Sequence, residues 1–228
     1  MTEARRPTEV QRRSRPGVTA RPRGEERRKE ILTTAMSLFA RGGFHSVSLA
    51  DIAREVGITQ AGILHYFPTK AALLIAVLQE RDEQNAAARD ILEAAGATPL
   101  EAYVEMLAEN DRHPELVQLF VILAAESTAH DHPGHAWFQR RNENLVEMFT
   151  RWMSEAIDES RLPQGIDAET LARWMLALSH GLGAQWVFDP RSFDRGGSVA
   201  LFLDFLKPYM HAADHVPAPA AGPSPRKA

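Results

Sequence analysis

Apolar residues recur along this chain every three or four positions, the spacing of amphipathic helices, and nowhere alternate long enough to make a strand. Over 25–41, Ile31, Leu32, Ala35, Leu38 and Phe39 share one helical face, and Gly42-Gly43 ends it. Ser48 followed three residues later by Asp51 reads as a capping box opening a short helix to Val56. Gly57 breaks that helix, and Thr59 caps another that runs to Phe67. A long helix follows from about Thr69 to Ala95, apolar early at Ala71, Leu74, Val77 and Leu78 and polar across Gln79 to Asn85. Thr98-Pro99 and His113-Pro114 each place a proline in the first turn of a further helix. Helices over 135–160 and 167–187, and a last one from Ser198 to about His211, complete an all-α pattern.

Residues 48–70 organise the rest. Ile52, Val56, Ile58, Ile63 and Tyr66 can meet in one small core only if the two short helices cross sharply. Ala53 is small where they pass, and Gly57 can take the left-handed conformation the turn needs. That is helix-turn-helix geometry, in which the second helix enters the major groove of DNA. An ordinary helical hairpin would satisfy the apolar spacing equally, but two features favour DNA. The outward positions Gln60, Ala61, Gly62 and His65 are short or polar and leave room for base edges. Thr69 then caps the next helix with Lys70 in its first turn, where a cation opposes the helix dipole unless a phosphate sits at the same helix end.

Charge changes the picture further. The net charge of −4 divides unevenly: residues 1–70 hold 13 Lys or Arg against 7 Asp or Glu, and residues 71–228 hold 13 against 23. A basic head on an acidic body fits a protein that meets a polyanion at one end. Residues 1–24 carry Arg5, Arg6, Arg12, Arg13, Arg15, Arg21 and Arg23 with few apolar side chains, and are expected to form a disordered arm able to follow phosphates or enter a minor groove. The Pro/Ala-rich stretch 213–228 is expected to be a disordered tail. With no cysteine, disulfides, thiolate catalysis and cysteine-bound zinc are unavailable. No stretch approaches the roughly twenty apolar residues of a membrane span, and the N-terminus has no secretory apolar region. A cytoplasmic protein without a membrane partner is the expectation.

Over roughly residues 27–75 the chain resembles the TetR family of bacterial transcriptional regulators. Leu49-Ala50-Asp51-Ile52-Ala53, Gly57-Ile58-Thr59, Ala61, Ile63, Tyr66-Phe67 and Thr69-Lys70 carry the likeness, with apolar, small, glycine, cap and lysine positions all in register. Leu64 and Gly62 depart from the commoner pattern, which often has tyrosine at the first and threonine or alanine at the second. The resemblance implies a three-helix DNA-binding domain over 25–72 and a larger helical domain over 73–212, which binds a small molecule and dimerises through its last two long helices. Within that frame Gln60 and His65 are the expected readers of base edges, and Ala61 and Gly62 permit close backbone approach or contact with a thymine methyl. Ser48, Thr59, Tyr66 and Lys70 are the expected phosphate contacts.

For the larger domain, Leu178, Gly181, Gly183 and Ala184 would let a second helix approach closely, and the last helix offers Val199, Phe202, Leu203 and Leu206. A four-helix contact made twice about a two-fold axis is the expected dimer. The residues Met106, Phe120, Trp137, Met148, Trp152 and Trp174, with His180, are candidates to line a pocket for a mostly apolar ligand, and Glu126 or Gln185 for its polar anchors. The run His130-Asp131-His132-Pro133-Gly134-His135 invites a metal reading, but Pro133 and Gly134 make it a turn, so a solvent-facing connection without metal is expected. No cofactor is implied. An enzyme is disfavoured: there is no phosphate-cradling glycine loop after a strand and no Gly-x-Ser-x-Gly elbow. The expected function is a ligand-responsive repressor that binds a palindromic operator as a homodimer. The alternative is an activator or architectural factor with no effector.

Overall fold

The computed structural model describes residues 21–211, and the statements below concern those residues. The expected arm, apart from 21–24, and the expected tail lie outside them. Nine α-helices follow in order: α1 (Arg21–Ser46), α2 (Leu49–Val56), α3 (Gln60–Tyr66), α4 (Lys70–Ala94), α5 (Pro99–Asp111), α6 (Pro114–Glu126), α7 (His135–Ala156), α8 (Ala168–Phe188) and α9 (Arg195–Leu206). Single 3-10 turns lie at Glu159–Arg161 and Lys207–Tyr209, and the only strand-like pairing is one bridge between Ile157 and Met210.

The helix boundaries follow from their caps. Ser48 and Asp51 form the expected capping box: the Asp51 amide donates to Ser48 Oγ at 3.1 Å, and the Ser48 amide donates to Asp51 Oδ2 at 3.0 Å. Gly57 ends α2 at φ 74°, ψ 31°, the left-handed cap that other residues resist. Thr59 and Thr69 accept from the amides of Gly62 and Ala72, and Thr98 with Glu101 forms a second capping box in front of Pro99. Two starts fall earlier than expected. Residues 21–24, expected in the arm, are helical. The last helix opens at Arg195, since Asp194 Oδ1 accepts from the Gly197 amide and brings Gly196-Gly197 into its first turn. Gly196 lies there against Ala108 of α5, where a Cβ would come within 3.2 Å.

Ile31 and Phe39 of α1, Ile52 of α2, Ile63 of α3 and Leu74 and Leu78 of α4 fill the core of the head, and all are fully buried. That core does not stop at the boundary expected near residue 72. It continues into Leu119 and Leu123 of α6 and Trp137 of α7, so head and body share packed side chains. A second core, centred on Phe149, Met153, Leu171 and Met175, holds α5, α7, α8 and α9 together, with Tyr103 edge-on to Phe149 at 4.7 Å. No single helix among the described residues is long and apolar enough to cross a membrane.

Candidate functional site: a recognition helix and a body cavity on one shared helix

α3 stands on the surface through the packing of Ile63 beneath it. Gln60, Ala61, Leu64 and His65 are exposed, whereas Gly62 is half-buried against Ile58 and Thr59. The expected readers Gln60 and His65 are thus on the open side, together with Leu64. The expected phosphate contacts differ among themselves. Thr59 is exposed and keeps its hydroxyl proton, because as a cap it only accepts. Ser48 is occupied: its hydroxyl donates to Asp51 Oδ2 at 2.6 Å and accepts from the Asp51 amide. These bonds, the hydroxyl first, hold the Asp51 carboxyl below the usual range, so a carboxylate stands where a phosphate would approach Ser48. Tyr66 is half-buried with its ring edge-on to His65. Lys70 turns inward: Nζ lies 4.2 Å over the Phe44 ring and 3.5 Å from the His45 carbonyl. Burial lowers its pKa, and the nearby Glu126 charge opposes that shift.

Glu126 has left the expected pocket. At the C-terminal end of α6 its carboxylate accepts the Phe44 amide at 2.7 Å, tying the body to the turn that follows Gly43. Gly43 has φ 71°, ψ 179°, and a Cβ there would run into the Glu126 carboxyl group. His132, expected in a solvent-facing loop, is buried beside this joint, edge-on to Phe44 at 5.1 Å. Its Nδ1 accepts the Gly134 amide at 3.1 Å, which places its proton on Nε2, 3.9 Å from Glu126 Oε2. A backbone without a Cβ at Gly134 is what lets His132 and Ser127 fold in this closely. His130 and His135 pair with each other, Nδ1 to Nε2 at 3.1 Å, and no three histidine or carboxylate side chains among the described residues converge as metal ligands.

The body holds a partly open cavity of about 630 Å³ between α4, α5, α6, α7, α8 and the start of α9, within the range of drug-sized sites. Of the pocket candidates, Met106, Phe120 and His180 line it. The other pocket candidates do not. Trp137 and Trp152 are core side chains, Met148 packs behind the wall against Arg89, Trp174 and Gln185 are on the outside of α8, and Glu126 is at the joint. Aromatic content marked the cores instead of the cavity. What the sequence reading missed is polar: Arg81, Asn85 and Arg89 of α4, Asn110, Arg141 and Arg195. The first three recur every fourth residue on one face of α4, and the first two lie in the stretch Gln79 to Asn85 noted above only as polar.

Two of the four arginines are neutralised from behind, Arg141 by Asp82 at 2.8 Å and Arg195 by Asp111 at 2.7 Å. Arg81 donates to Gln84 and Asn110, and Arg89 only to the thioethers of Met106 and Met148. Tyr103 is buried beside them; desolvation raises its pKa, while Ser179, Arg141, Arg195 and Arg89 pull it back. The Ser179 hydroxyl approaches that of Tyr103 without a hydrogen bond of normal geometry. His180 is exposed on the cavity side, and desolvation by the surrounding walls, then Arg141 and Arg195, push it down to about 4. Burial also lowers His132. Both histidines bind a proton less readily in the folded chain, so as pH falls below their ordinary value of 6.5 the unfolded chain takes up those protons first. Their contribution to stability, complete above that value, is lost as pH falls, and for His180 fully by about pH 4. Unfolding midpoints are expected to drop between about pH 7 and pH 5, with a shallower drop in His132→Asn. An unaltered pH slope in that variant would mean His132 titrates normally.

The residues expected at a dimer face are placed differently from one another. Val199 and Leu206 belong to the body's own core, and Gly183 is buried against Arg195 and Val117. Leu178, Ala184, Phe202 and Leu203 are half-buried and Gly181 is exposed. The apolar groups left open on α8 and α9 are Trp174 at 48%, Phe188 at 92%, and Leu201 and Phe205 at 68% each. Trp174, Leu178, Gly181, Gln185 and Phe188 fall on one stripe of α8, and Leu201 and Phe205 on one of α9.

A helix-turn-helix head whose third helix is exposed, joined to a helical body with a cavity, defines a one-component regulator architecture. Residues 31–77 match the profile of bacterial regulatory proteins of the tetR family, and residues 96–210 match that of the BetI-type transcriptional repressor C-terminal domain. The chain belongs to the tetR family of bacterial regulatory proteins. The HTH-type transcriptional regulator RutR of Escherichia coli K12 is 43% identical over 54 residues, 24% of this chain and 26% of RutR. The chain thus matches about a quarter of the length of the curated relatives that head the comparison. A TetR-family regulator structure from Agrobacterium tumefaciens superposes with a TM-score of 0.66 at 24% identity, covering 82% of this chain and 99% of that one. FadR of Bacillus subtilis, solved in complex with stearoyl-CoA, gives 0.65 at 16% identity, covering 78% and 96%.

Proposed function

We propose that the protein is a transcriptional repressor that holds a palindromic operator as a homodimer and lets go when a small molecule fills the body cavity. The observation that carries this reading is the double use of α4. Its N-terminal end follows the recognition helix by three residues, and its middle supplies Arg81, Asn85 and Arg89 to the cavity wall. α6 repeats the arrangement, with Phe120 on the cavity and Glu126 on the head. A ligand that shifts either helix moves the head with it. Two recognition helices one DNA turn apart, about 34–36 Å or a multiple, read the two half-sites. The ligand releases DNA only if it binds the separated arrangement more tightly than the DNA-bound one. FadR's complex with stearoyl-CoA shows that protein holding a ligand, which supports a ligand-filled body here.

Gln60 is the reader of an adenine edge in this account, and Thr59 and the N-terminal amides of α4 hold phosphates. Gln60→Ala is expected to cost roughly 1–3 kcal/mol at particular base pairs and little on random DNA. Anisotropy titrations on operator and scrambled duplexes check this, and an equal loss on both would remove Gln60 from that role. Dependence of operator affinity on cavity ligands separates the repressor from an effector-independent activator or architectural factor.

A further inference from the structure

We propose that the cavity is a receptor for an amphipathic organic anion, a carboxylate whose head is held by Arg81 and Arg89 of α4 and whose apolar body lies against Met106, Phe120 and Phe138. The inference rests on the reading of the cavity as the effector site and specifies the ligand class. Four arginines and no aspartate or glutamate line the cavity. Asp82 and Asp111 form ion pairs with Arg141 and Arg195, and the Asp82 charge also acts on Arg81 without pairing with it. Arg81 is 8% exposed, and no carboxylate among the described residues forms an ion pair with it. Its hydrogen-bond partners are the amide oxygens of Gln84 and Asn110, so the guanidinium is buried with no carboxylate bonded to it and burial lowers its pKa. Arg89 faces sulfur atoms, weak acceptors, with the Trp152 ring 5.9 Å away.

A guanidinium presents five donors in a fork that matches a carboxylate with two parallel bonds. Arg81 and Arg89 lie two turns apart on one face of α4, and Asn85 between them offers a further polar group. α6 and α7 supply apolar surface, with Phe120 and Phe138 edge-on at 5.3 Å and the Arg141 guanidinium 4.2 Å over Phe120. A carboxylate with a flat or chain-like body satisfies both walls. A quaternary ammonium or an amine would put a further cation beside Arg81 and Arg89, neither of which is in an ion pair. Because Arg81 and Arg89 are on the helix that leads to the head, the anion's head group pulls directly on the element that positions α3.

The test uses the full chain and two matched trios: 2-naphthoate, 2-naphthalenemethanol and 2-naphthylmethylammonium, and octanoate, octanol and octylammonium. Calorimetric titration is expected to rank each carboxylate above its alcohol by roughly 10- to 100-fold, with no binding of the amine. Arg89→Gln, which is half-buried and spares the Arg81–Asn110 contact, is expected to remove most of that preference while leaving the alcohols unaffected. Arg81→Lys serves as the second variant, keeping the charge and losing the paired geometry. Equal affinity across a trio, a preference for the amine, no carboxylate binding, or an unchanged ranking in Arg89→Gln would overturn the anion assignment. Carboxylates that bind in this pattern but leave operator affinity unchanged would retain the anion site and overturn the effector reading. A neutral probe that releases DNA from Arg89→Gln and wild type alike would do the reverse.

Discussion

Replacing Gly43 by alanine is expected to destabilise the protein by roughly 3–5 kcal/mol and to loosen the head from the body. Two costs add at that position. The backbone sits at φ 71°, ψ 179°, a region essentially restricted to glycine, where a side chain costs about 1–3 kcal/mol. The new Cβ also displaces the Glu126 carboxylate, which accepts the Phe44 amide at 2.7 Å, and a bond to a charged acceptor contributes about 1.5–3 kcal/mol. Denaturant unfolding monitored by tryptophan fluorescence measures the sum. Glu126→Gln separates the two, because it keeps the backbone and an acceptor while losing the charge, and is expected to show the smaller loss. If Gly43→Ala unfolds at the wild-type denaturant concentration, the turn is not strained and the joint is not held by Glu126.

The second large effect concerns assembly. Phe188→Glu combined with Phe205→Glu is expected to yield a folded monomer of 25.4 kDa where the wild type runs at twice that mass. Both rings project from the body at 92% and 68% exposure, so within one chain their loss removes little packing. Across a two-fold interface each would bury about 150–250 Å² of ring surface, and a charge placed there has no partner. Light scattering after size exclusion reads the mass, and helical circular dichroism confirms the fold. Operator binding is expected to fall with dimerisation, since one head contacts only one half-site. A double variant that remains dimeric would move the interface elsewhere.

The head was legible in the sequence because its determinants are local. Ser48 with Asp51, Gly57, Thr59 and Thr69 each satisfy backbone groups within three or four residues, and each does so in the structure. The body's element order was legible for the same reason, through Thr98-Pro99, Pro114 and Asp167. The cavity was not. Whether a tryptophan fills a core, as Trp152 does, or faces outward, as Trp174 does, depends on how α7 and α8 are rotated against their neighbours. Val199 and Leu206 look like Leu201 and Phe205 in a list of apolar residues, yet the first pair faces inward and the second outward. His132 is polar and in a turn, but Phe44 and His45 from a distant segment bury it. The α4 stripe of Arg81, Asn85 and Arg89 is the one cavity signal the sequence did contain. It separates from a solvated face only once α5 and α7 are seen to close over it.

Selection of duplexes from a random-sequence pool by the full chain tests the central claim most directly. The account predicts enrichment of one two-fold symmetric sequence, with half-sites separated by one helical turn or a multiple, and a changed base preference within each half-site for Gln60→Ala. Enrichment of no sequence above the starting pool, or of an asymmetric site indifferent to Gln60, would contradict it.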